Sequence, residues 1–176
     1  MLRISAIVLP LLLVATSVWA RSTSSVTATV TANVVEDLTV TSEDPLNFGF
    51  IEPSPQGGTV TVSPDNARTA TGGIETSSAF TPATFAVHGN PGHDYTIHTP
   101  SSLTFSVRGA EESESLIREL TVTNFTTYSA TARTTAATGR LAQDGRDKIY
   151  LGATLIVPAG AAPGVYSGWV PLTVSY

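Results

Sequence analysis

From Val26 to Val40 the chain reads Val-Thr-Ala-Thr-Val-Thr-Ala-Asn-Val-Val-Glu-Asp-Leu-Thr-Val. Apolar side chains fall on even positions at Val26, Ala28, Val30, Ala32 and Val34, and again at Leu38 and Val40. A period of two belongs to the extended strand, whose successive side chains point to opposite faces, and a helix cannot satisfy it. The run is also long. Its fifteen residues, at ~3.3 Å each, would reach about 50 Å, whereas strands usually hold about five or six. Two readings fit that length. The run is divided, with one piece belonging to a domain and one reaching beyond it, or it is a single bent strand serving both sheets of a sandwich.

The same alternation returns along the chain in short pieces set off by turn residues. Leu46, Phe48 and Phe50 alternate, and Gly57-Gly58 leads into a strand with Val60 and Val62 on one face. Pro64-Asp-Asn66 and Gly72-Gly73 read as turns. Phe80 to His88 predicts a strand broken by Gly89-Asn-Pro-Gly92, with Tyr95 to Thr99 returning as a hairpin and Tyr95 and Ile97 buried. Leu103, Phe105 and Val107 alternate, as do Leu120 and Val122. Ile149 to Val157 is strongly apolar, and the last run from Val165 puts Tyr166, Gly168, Val170, Leu172, Val174 and Tyr176 on one side. Glu111 to Leu120 is acidic and reads as a solvated loop, and residues 126–147 as a long loop with a weak strand near Thr131 to Thr135. Ser and Thr make up 45 of the 176 residues and suit strands and turns better than helices. The prediction is an all-β, antiparallel sandwich or barrel in one domain.

The first twenty residues predict export. Arg3 gives a positive start, Ile7 to Ala15 is a short apolar run, and Val18-Trp-Ala20 offers small residues before a cut. Residues 1–20 therefore read as a secretory signal peptide, with cleavage after Ala20. No later stretch has the length and apolar character of a membrane-spanning helix, so no membrane span is expected in the mature protein. The formal net charge of −5 and the single Lys argue against nucleic acid, because neutralising phosphates needs clustered Lys and Arg.

Little in the sequence points to chemistry. The chain has no Cys, which removes disulfides, zinc–thiolate sites and thiol nucleophiles. His88, His93 and His98 lie five apart; on a hairpin, two would lie along the ladder and one at the tip, so the three rings would not converge on a metal. Asp144-Gly-Arg-Asp147 lacks the alternating oxygens of a calcium loop. No Ser lies in a nucleophile elbow. Asn124-Phe-Thr126 is a glycosylation sequon, more simply an ordinary strand-end tripeptide. Lys148, the lone lysine, reads as solvated rather than cross-linked. No enzyme, metal or cofactor is predicted.

Several segments carry a family resemblance. They are TATVTANVVEDLTV, LNFGFIEP, Gly57 to Val62, Phe85 to Tyr95, Leu120 to Phe125, and the ending Pro163-Gly-Val-Tyr-Ser-Gly168…Leu172-Thr-Val-Ser-Tyr176. Together they resemble a bacterial exported family of unknown function, itself similar to the spore-coat-U-like, archaic chaperone–usher pilins. The resemblance implies an immunoglobulin-like sandwich, over residues 32–176, that lacks its last strand and is completed by a donor strand. It implies that a periplasmic chaperone fills the gap first, and that the amino-terminal extension of another pilus subunit then replaces it at an outer-membrane usher. Residues 21–31 would be that extension, with Val26, Ala28 and Val30 as its knobs. Ala32 and Val34 would begin the domain's own first strand. Val170, Leu172, Val174 and Tyr176 would line the groove on the strand that the chaperone grips. Those pilins commonly carry a disulfide near the first strand, and this chain has none. The function so implied is that of a structural subunit of a pilus at the cell surface. The alternative is a self-complemented secreted sandwich that binds surface glycan or matrix, for which Trp169, Tyr128 and Tyr150 are the available aromatic platforms.

Overall fold

A computed structural model describes residues 29, 31, 32, 34, 36–77, 79–108 and 116–176. The fold is that of the unit Val34–Tyr176. The signal segment, most of the extension and the three knobs Val26, Ala28 and Val30 lie outside the described residues. Among the described residues there are fourteen strands and no helix. The first five are β1 (Thr39–Asp44), β2 (Phe50–Glu52), β3 (Gly58–Val62), β4 (Arg68–Ala70) and β5 (Glu75–Ser77). Next come β6 (Ala83–His88), β7 (Asp94–His98), β8 (Ser102–Arg108), β9 (Glu119–Ser129) and β10 (Thr134–Thr135). The last four are β11 (Thr138–Arg140), β12 (Arg146–Val157), β13 (Val165–Tyr166) and β14 (Thr173–Ser175).

Every ladder between these strands is antiparallel. The main sheet runs β1-β6-β12-β9-β8-β13, with β10 on β9 and β3-β4 joined to the far half of β12. A second sheet runs β11-β7-β14, and β2 pairs with β5. The two larger sheets face each other as a sandwich. Phe85 and Val87 of β6 and Ile149 and Leu151 of β12 meet Tyr95 and Ile97 of β7 across the interior. A second core gathers Val60, Leu120, Val122, Ala153, Leu155 and Val157, with Phe48, Ile51 and Phe105 packed on it. Each fully buried aliphatic side chain of this kind stabilises the fold by ~1.5–3 kcal/mol. The alternations at Val60/Val62 and Tyr95/Ile97 therefore mark the core, as the sequence predicts, and the apolar run from Ile149 contributes Ile149, Leu151, Leu155 and Val157 to it.

Four expectations are corrected. The first strand starts at Thr39, not at Ala32; Val34 is 94 % exposed, and Leu38 and Val40 are the first side chains to pack on the core. Phe50 does not share a face with Leu46 and Phe48. Gly49 adopts φ +82° and donates its N–H to Asn47 Oδ1 at 2.9 Å, so the chain turns there; Phe50 comes out 75 % exposed and Ile51 packs inward instead. The segments either side of Gly89–Gly92 are not a hairpin, because β6 belongs to the main sheet and β7 to the facing one. Finally, β9 runs on to Ser129 through what the sequence reads as loop. Its ladder with β12 slips at a bulge where Asn124 takes φ +51°, and the buried positions change from even (Leu120, Val122) to odd (Thr127, Ser129). A bulge inserts one residue and so reverses every face beyond it.

Candidate functional site

The sandwich has one well-sealed flank and one open one. On the sealed side, Asp147 of β12 points into the interior, only 7 % exposed. Its Oδ2 accepts from Tyr95 Oη at 2.7 Å and Ser129 Oγ at 2.5 Å, and its Oδ1 from the backbone N–H groups of Thr131 at 2.9 Å and Lys148 at 2.8 Å. A buried carboxylate persists only when its lone pairs are filled in this way. The Tyr95 bond crosses from the second sheet to the main one, so the cluster ties the layers together. Burial, and then the bond to Asp147, raises the pKa of the Tyr95 hydroxyl well above the ordinary tyrosine value. No motif marks this cluster in the sequence. Its only signal is an acid that shares the alternation of Ile149 and Leu151, two residues before Ile149.

The open side lies between β1 and β14. Among the described residues β1 pairs only with β6, and β14 only with β7, through Thr173↔His98, Val174↔Ile97 and Ser175↔Thr96. Cα atoms of β1 and β14 come within 8 Å of each other, yet no ladder joins them. Leu38 and Val40 line one side of this seam and Val170, Leu172 and Val174 the other, all only partly buried against the core. At one end Tyr176 closes it. Its hydroxyl donates to Glu36 O at 3.2 Å and accepts from Asn90 N at 2.5 Å, and its ring stands edge-on to His93 at 6.2 Å. A Cβ at residue 89 would meet that hydroxyl and Leu38 Cδ1, so any larger residue there would displace the Tyr176 ring from its place. β1 leaves this end and β14 arrives at it, so the two free edges run in opposite directions.

Of the four predicted groove residues, Val170, Leu172 and Val174 thus reach the seam, and Tyr176 caps its end rather than pointing inward. They do not form one strand. Val165 and Tyr166 pair with β8 in the main sheet, and the chain then crosses to β7, held extended by Gly168 against the Phe105 ring and by Pro171, which lacks an N–H for a ladder. The period of two survives the crossing, and Trp169 points away, 92 % exposed.

The histidines are scattered, with His88 on β6, His93 in the turn and His98 on β7 bonded to Ser175 Oγ at 3.1 Å. No group of three or more potential metal ligands gathers among the described residues. Lys148 reaches Glu43 at 2.7 Å on the surface. Tyr128 and Tyr150 come together as a tilted pair on the outer face of the main sheet, ring centroids 6.3 Å apart. No described helix is long and apolar enough to cross a membrane.

Residues 38–176 match the family described as Domain of unknown function (DUF4402). The chain belongs to that family. No curated protein and no solved structure matches it. The matched stretch of the DUF4402 domain opens at Leu38, the first side chain in the core and one edge of the seam. The alternating residues 26–34 lie ahead of it.

Proposed function

We propose that the DUF4402 chain is a structural subunit of an extracellular filament, an incomplete immunoglobulin-like sandwich that another copy completes by donating residues 22–30. The observation that carries this reading is the seam between β1 and β14. Among the described residues it presents two strand edges with no partner and the apolar side chains Leu38, Val40, Val170, Leu172 and Val174. Unpaired edges beside exposed apolar surface form a template for strand addition. The segment from Ser22 to Val30 is suited to that template by its alternation, with Val26, Ala28 and Val30 on one face as knobs and threonines on the other. Because the free edges run in opposite directions, an inserted strand would lie parallel to one and antiparallel to the other. It would also part them, since a strand between two neighbours needs about 10 Å, twice the ~4.8 Å ladder spacing. Export by residues 1–20, with a periplasmic chaperone and an outer-membrane usher as partners, completes the proposal.

Deleting residues 21–31 tests it. The shortened protein should fold and stay monomeric, and a synthetic peptide of residues 22–34 should raise its melting temperature. If full-length and shortened proteins behave alike and neither forms heat-stable oligomers, strand donation is wrong.

A further inference from the structure

The outer face of the main sheet carries a trough of about 1060 Å³ whose floor is one continuous cross-strand row. Register places Asp44 beside Thr84, Thr84 beside Tyr150, Tyr150 beside Tyr128 and Tyr128 beside Thr135. These five residues come from five adjacent strands, and all five line the trough. Four strand spacings of ~4.8 Å make the row about 19 Å long, running across the strands. The turn at Ser63–Asn66 and the Thr81–Pro82 segment line it as well.

The chemistry of this floor narrows the ligand. β6, β12 and β9 are interior strands with neighbours on both sides, so their backbone groups are engaged in ladders and cannot recognise a peptide main chain. Recognition must come from side chains. Two tyrosine rings in the middle offer flat apolar faces with little conformational entropy to lose. Around them stand hydroxyl, amide and carboxylate groups, with Asp44 held in place by its bonds to Thr84 at 2.6 and 3.1 Å. Among the described residues no Lys, Arg or His lines the trough, while Asp44 and Asp65 both do. Aromatic faces that stack on C–H surfaces, flanked by groups that bond hydroxyls, are complementary to a sugar chain. The absence of any lining cation and the presence of two acids disfavour an anionic one.

We infer that this trough binds a neutral oligosaccharide laid across the strands, stacked on Tyr128 and Tyr150. The site lies on the opposite face of the main sheet from the core, and it does not depend on strand donation.

The test is calorimetric titration of the full chain with cellohexaose, maltohexaose, chitohexaose and mannohexaose, with sialyllactose as the anionic probe. At least one neutral hexasaccharide should bind saturably. Tyr128→Ala and Tyr150→Ala should each weaken that binding about tenfold, Tyr128→Phe should preserve it, and Trp169→Ala should leave it unchanged. Shifts of amide resonances in the unsubstituted chain should centre on residues 126–128 and 150, which gives a readout even if an alanine variant misfolds. Four results would overturn the inference: no binding by any neutral hexasaccharide, binding of sialyllactose alone, resonance shifts centred elsewhere, or alanine variants that alter self-association while sugar binding is untouched.

Discussion

The two flanks of the sandwich solve the same problem in opposite ways. Around Asp147, polar groups are buried, and among the described residues no buried side-chain polar atom is left without a partner. Along β1 and β14, apolar side chains are half-covered, and among the described residues the facing backbone edges have no ladder partner. The first flank derives its stability from groups within one chain and gains nothing from a partner. The second, on the proposed function, gains further stability when a donor strand is added. Internal stability and the proposed donor-strand site are therefore located in separate parts of the fold, and substitutions should separate them.

The largest effect should come from the sealed side. Asp147→Ala removes the shared acceptor of two hydroxyls and two backbone N–H groups, and should lower unfolding free energy by about 3–5 kcal/mol in urea denaturation. Ser129→Ala removes one donor to that carboxylate and the acceptor used by Ala132 N, and should cost about 1–2 kcal/mol. Alkaline pH should weaken the same flank. The folded state holds the Tyr95 proton far above pH 10, while an unfolded chain loses it near 10. The contribution is fully present below pH 10 and declines above it by about 1.4 kcal/mol per pH unit. Tyr95→Phe should remove that share of the slope, leaving the share from Tyr166, whose pKa burial also raises. On the open side the pattern should invert. Val30→Asp should change monomer stability by less than about 0.5 kcal/mol, yet abolish filaments, because the charge would enter an apolar seam. Filaments of normal length from Val30→Asp would remove that knob, and a large loss of monomer stability would end the separation of the two flanks.

How far the sequence discloses this fold depends on whether apolarity or geometry does the specifying. Val60, Val62, Tyr95, Ile97, Ile149 and Leu151 are legible because one face of each strand is simply apolar. Thr127 and Ser129 are not, because they are buried as hydrogen-bonding groups beyond a bulge that reverses the alternation. Phe50 misleads because a left-handed Gly49 turns the chain within an otherwise regular pattern. The pairing of β6 with β12 rather than with β7 depends on contacts some sixty residues apart, which no local pattern encodes. The same holds for the sites. Val170, Leu172 and Val174 are marked by their period, whereas the meeting of Tyr128 with Tyr150 follows only from register.

The central position of β12 also sets a schedule. It pairs with β3, β6 and β9, all of which precede it in the chain, and its bond to Tyr95 spans 52 residues. Until residues 146–157 have been made, the main sheet consists of separate fragments: β1 with β6, β3 with β4, and β8 and β10 with β9. Closing such long loops costs entropy before any contact returns it. A chain synthesised from its amino terminus therefore stays loose for most of its length and locks abruptly near the end, so nascent forms remain pliable while the finished domain does not.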